Sequence, residues 1–120
     1  MITREQVEAL FLHTRQLRRD GRVDWDIDGV CRWSYYFVDA SRKNLLRLGE
    51  HLKGMGFQVV GLREPADGDD DPETITLQVD QVEQHTVDSL MARNREFTAA
   101  ARQFQVRDFD GLDNGPVDGP

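Results

Sequence analysis

At 120 residues, with 38% hydrophobic and 31% charged side chains and a formal net charge of −7, the chain has the proportions of one globular domain with an ordinary core and no room for a second. The single cysteine, Cys31, excludes an internal disulfide framework and fits a reducing compartment. No apolar run reaches the roughly 18 residues of a membrane-spanning helix, and the first 30 residues are charged throughout, unlike a secretory signal, so a cytoplasmic protein without membrane attachment is expected. Residues 1–60 carry ten Lys/Arg against eight Asp/Glu, and residues 61–120 carry five against fourteen. That acidic second half argues against direct nucleic-acid binding and for a protein partner with a basic surface.

In chain order, Thr3-Arg4-Glu5-Gln6 reads as a capping box. Val7, Leu10, Phe11, Thr14 and Leu17 follow at spacings of three and four, which predicts an amphipathic helix over 3–20 stopped near Gly21. Residues 20–30 read as a connector. The aromatic run Cys31–Val38 predicts a strand with Trp33, Tyr35 and Phe37 on one face and Ser34, Tyr36 and Val38 on the other. Asp39 or Ser41 can cap a second helix, whose Leu45, Leu48, Leu52 and Met55 share a stripe before Gly56.

Phe57–Arg63 predicts the second strand, residues 64–73 an acidic solvated loop, and Thr74–Asp80 a third strand with Ile75, Leu77 and Val79 facing the core. Thr86 can cap a third helix with Val87, Leu90, Met91, Phe97, Ala101 and Phe104 on one face and Asn94 interrupting it. A short strand over 106–109 precedes Asp110-Gly111. From Leu112 to Pro120 there is little to bury, and a mobile tail is expected.

The order α, β-α-β-β-α-β predicts an α+β, ferredoxin-like domain over 1–112: a four-stranded antiparallel sheet spanning 31–110, two helices on one face, an extra N-terminal helix, and a flexible 113–120 tail. The uncovered sheet face would show Tyr36, Val38, Val60 and Leu62, more apolar than solvent favours. The first helix is the intramolecular candidate to cover it. A second copy or another protein is the alternative.

Chemistry is sparse. His13, His51 and His85 lack ligand spacing to one another or to carboxylates, so no metal is expected. Cys31 has no His near in sequence and reads as an inert thiol. Gly54-Met-Gly56 ends a helix instead of cradling phosphate, and no nucleophile elbow surrounds Ser34, Ser41 or Ser89. The expectation is a non-enzymatic protein without cofactor. Two surface features remain: the acidic loop residues Asp67, Asp69, Asp70 and Asp71, and the arginines Arg15, Arg18, Arg19 and Arg22, whose charge is offset by neighbouring aspartates.

The run Arg32–Val38, the helix ending Lys53-Gly-Met-Gly-Phe57, the strand Ile75–Val79 and the closing Phe104-Gln-Val-Arg-Asp-Phe-Asp-Gly111 together resemble the regulator of ribonuclease E activity B family, bacterial ribonuclease E inhibitor proteins. The resemblance spans most of residues 3–112. Where the family typically continues with Trp, this chain has Leu112, and the long acidic tail of some members is reduced to a few Asp. It implies a small cytoplasmic, non-enzymatic regulator that binds ribonuclease E and lowers its activity by acting on the enzyme instead of the transcript; as to assembly, a monomer or homodimer is expected. Contact is expected through Asp67, Asp69, Asp70 and Asp71 and through Phe109, Asp110 and Gly111, although Phe109 can equally pack in the core with Asp110-Gly111 turning. The alternative is a general interaction module that homodimerises through the open sheet face and serves another client.

Overall fold

The computed structural model describes residues 2–65 and 73–117. Seven elements follow in chain order: α1 (Arg4–Arg19), β1 (Val30–Asp39), α2 (Arg42–Gly54), β2 (Gln58–Arg63), β3 (Ile75–Gln84), α3 (Val87–Gln103) and β4 (Asp108–Gly115). The fold is α+β, and the four strands form one sheet in the order β2-β3-β1-β4 with every neighbouring pair antiparallel.

Local chemistry sets the helix starts. Thr3 and Thr86 each accept a hydrogen bond from the third helical N–H, and the side chains of Gln6 and Ser89 accept from the cap N–H groups in return. Ser41, not Asp39, caps α2 by accepting from the Asn44 N–H at 3.2 Å. Gly56 follows α2 with φ +102°, a backbone that side-chain-bearing residues rarely adopt.

Packing begins from the aromatic strand. Trp33, Tyr35 and Phe37 are fully buried, and Phe97 of α3 lies between them and the rest of the core, with ring centroids 4.8 Å from Tyr35, 5.3 Å from Phe37 and 5.5 Å from Phe109. Leu45, Leu48 and Leu52 of α2 join the same cluster with Leu77 and Val79 of β3. Gly49 of α2 faces Leu77 and Val59, where a Cβ would make ordinary van der Waals contact at 3.6 Å.

Four expectations are corrected here. First, α1 does not cover the open sheet face: it packs beside α3, and Phe11 reaches Trp33 with centroids 5.9 Å apart. Its stripe is thus spent on the core. Second, Leu62 faces inward opposite Leu77, because a bulge after Val59 places Val60 and Gly61 against a single step of β3 and reverses which face follows. The open face keeps Tyr36, Val38 and Val60 beside Arg32, Gln78 and Asp80, a more polar surface than the alternation implied. Third, Met55 is 51% exposed, because α2 has already ended and Met55 caps it.

The fourth correction concerns the last strand. It begins at Asp108, not Val106, and runs to Gly115, so Leu112–Gly115 belong to the sheet. Asn114 and Gly115 are buried against Trp33 and Arg32. The connector before β1 also contributes more than expected, with Ile27 buried in the core and Trp25 packed at its margin.

Candidate protein-docking site

The residues predicted at the end of the last strand fall at one edge of the sheet. β4 pairs with β1 on one side only. Phe37 lies opposite Phe109 and Tyr36 opposite Gly111, leaving Asp110 as the extra residue of a bulge. Phe109 is buried and packs against Phe37 at 5.1 Å, so it positions the edge from within. Asp110 and Asp113 are exposed, and neither has a cationic partner among the described residues. Gly111 lies under Tyr36, where a Cβ would sit 3.5 Å from the ring.

Leu112 lies opposite Tyr35 and therefore faces the helices. With Ile2, Val7 and Leu10 of the α1 side, and with Asp110 and Gly111 at the rim, it lines a cleft of about 430 Å³. An apolar floor beside the unpaired Asp110 carboxylate, with Asp113 on the other face of the same edge strand, is suited to a basic segment that inserts one apolar side chain. Bulge and charges also blunt an otherwise open strand edge. Asp67, Asp69, Asp70 and Asp71 lie outside the described residues.

A second, largely buried polar group joins residues far apart in the chain. The Tyr35 hydroxyl donates to Glu83 Oε2 at 2.6 Å and lies 3.0 Å from His85 Nε2. Arg93 Nη2 donates to Glu83 Oε1 at 2.9 Å, and its guanidinium stacks over Phe57 at 4.8 Å. His85 Nδ1 meets Ser89 Oγ at 2.8 Å. Burial alone would raise the Glu83 carboxyl, but hydrogen bonds from His85 and Tyr35 and the Arg93 charge outweigh it and hold the group below its ordinary value. Burial, reinforced by Glu83, pushes the Tyr35 phenol far above its ordinary range.

These residues fasten β1, β3 and α3 together, with every polar end but the surface met by another. The inward alternation of β3, carried past Val79 through Gln81 to Glu83, was the signal available in the sequence. Cys31 is buried, and burial raises its thiol first of all. His51 stacks on Phe104 at 4.9 Å, and His13 is exposed on α1. No group of three or more His, Cys, Asp or Glu side chains among the described residues could hold a metal ion, and no described helix is long and apolar enough to cross a membrane.

The molecule is thus a small α+β domain with an acidic edge strand and a buried Tyr35, Glu83 and Arg93 group. The chain matches the family model described as regulator of ribonuclease activity B over residues 13–113, and it belongs to that family. The match begins within α1 and ends within β4, so it covers β1, β2 and β3 whole and β4 as far as Asp113. Among curated proteins, none matches the chain.

Proposed function

We propose that this protein binds ribonuclease E in the bacterial cytoplasm and lowers its activity without catalysing a reaction itself. Membership of the regulator family carries the reading. The net charge of −7 and the unpaired Asp110 and Asp113 at the β4 edge support the mode of contact. A scaffold rich in Arg and Lys attracts such a surface, and an acidic regulator docked there would compete with RNA for the same cations. The strand order agrees with a ferredoxin-like pair of interleaved βαβ units, which presents β4 as an edge strand. Phe109 holds that edge, Asp110 and Asp113 steer, and the acidic loop with Asp67, Asp69, Asp70 and Asp71 adds to the field.

Titration of the full chain against a purified ribonuclease E scaffold, with RNA cleavage followed in parallel, tests the proposal. Binding should weaken steeply between about 50 and 300 mM salt, as screened contacts do. Asp110→Lys with Asp113→Lys should weaken it at least tenfold and restore cleavage. Affinity indifferent to both salt and these substitutions would remove the β4 edge from the interface.

A further inference from the structure

Charge is divided between helices and the rest of the chain more sharply than between the two sequence halves. The three helices carry eleven Lys/Arg and five Asp/Glu, a balance of +6, whereas strands and connections carry four against seventeen. The helices are thus cationic on a protein that is acidic overall. Several of these cations are already engaged: Arg4 with Glu8 and Asp88, Arg15 with Asp28, Arg42 with Glu64. Arg95 and Arg102 of α3 are not. Both are exposed, and neither has an ion-pair partner among the described residues.

Between these two arginines the outer surface of α3 is recessed. Met91, Thr98 and Ala99 form the floor, Ile2 closes one side, and the groove measures about 260 Å³. An exposed helix face ordinarily carries long polar side chains at such positions. Beneath the floor lies Asn94, only 5% exposed. Its Nδ2 has the weak acceptor Met91 Sδ at 3.5 Å, and its Oδ1 has no hydrogen-bond partner. A buried acceptor left unpaired costs roughly 1–3 kcal/mol, and a groove beside it is where a donor would arrive. Met91 is the flexible side chain that would have to turn aside.

We propose that this groove is a second docking site, of opposite charge to the β4 edge, for an acidic helical segment of a protein partner. The segment places one apolar side chain of about leucine size on Thr98 and Ala99, between two carboxylates that pair with Arg95 and Arg102. Those arginines are seven residues apart on α3, about 10 Å along the axis, which matches Glu or Asp at i and i+7 around an apolar i+3 or i+4. No aromatic side chain lines the groove, so it lacks the platform on which a nucleotide base would stack. The site is independent of the proposed ribonuclease contact, because its partner must be acidic where that one is basic.

The test uses the full chain and a synthetic 18-residue helical peptide with Glu at two positions seven apart and Leu midway, followed by fluorescence anisotropy and by amide shifts of the protein. Binding is expected, with the largest shifts at the Asn94 side-chain amide and at Ala99. Arg95→Glu with Arg102→Glu should weaken it at least tenfold, and Ala99→Gln, which fills the floor without touching charge, at least threefold. Arg63→Glu on β2 should leave it unchanged. Unfolding midpoints accompany each variant; should the double reversal unfold, Arg95→Gln with Arg102→Gln takes its place. A scrambled peptide of equal composition binding as well, shifts elsewhere, or displacement by single-stranded RNA would each overturn the proposal. So would a self-associating chain whose dimer the arginine variants dissolve, since the occupant would then be a second copy.

Discussion

Glu83 of β3 ties three other side chains, Tyr35 of β1, Arg93 of α3 and His85, into one group. It accepts from Tyr35 and Arg93 and faces His85 within 3.0 Å, and both it and Arg93 are largely buried. Glu83→Ala strands the guanidinium among Phe57, Phe97 and Tyr35, and should cost roughly 3 kcal/mol in urea unfolding. Its pH signature has a definite sign. The folded state holds this carboxyl below its ordinary value, so the stability it contributes is present above the unfolded pKa near 4.3 and disappears as pH falls through the folded value. Urea midpoints measured from pH 6 downward should fall below about pH 4.5, and Glu83→Gln should flatten that fall. Phe97→Ala, which empties the centre of the aromatic cluster, should cost about 3–5 kcal/mol with no such pH dependence.

The inward and outward faces of β1 could be read from alternation alone, because aromatic side chains are hard to mistake for surface. The Glu83 group could not, since Tyr35 lies 48 residues and Arg93 ten residues from Glu83 in the chain, and nothing local couples them.

Among the elements, the helices were legible nearly to the residue because caps are local: Thr3, Ser41 and Thr86 each close their own first turn. Thr86→Ala should therefore cost about 1 kcal/mol, measurable as a lowered unfolding midpoint. The last strand was legible only in part. Asp113, Asn114 and Gly115 have poor strand propensity, and it is their pairing with Ser34, Trp33 and Arg32 that makes them sheet. Likewise, the inward turn of Leu62 depends on a bulge whose Gly61 has φ +153°, a backbone open to glycine and strained for other residues. Gly61→Val should destabilise by about 1–2 kcal/mol and loosen β2 first, seen as faster amide exchange along Gln58–Arg63. Leu112→Trp would place an indole on the inward side of β4. The neighbouring cleft of about 430 Å³ should receive the indole, leaving the midpoint unchanged or raised.

For the whole molecule, the segregation of charge is the organising fact. The acidic balance of the second half was visible in the sequence, but its distribution by layer was not, because helices and strands alternate along the chain. An acidic edge at β4 and a cationic groove on α3 meet near Ile2, which borders both. If the two sites are occupied by different partners, Asp110→Lys with Asp113→Lys should leave the affinity of the acidic peptide within about twofold, while the arginine reversals on α3 should leave ribonuclease E binding equally undisturbed. Two titrations of the same variants would show whether the grooves act separately.

The position of β1 in the sheet has a bearing on biogenesis. Both of its hydrogen-bonding neighbours, β3 and β4, are translated after it, so at the usual pace of about 5–20 residues per second the nascent Trp33-Ser-Tyr-Tyr-Phe37 segment waits several seconds for its first neighbouring strand. During that interval it is the stretch of this polypeptide most in need of a chaperone.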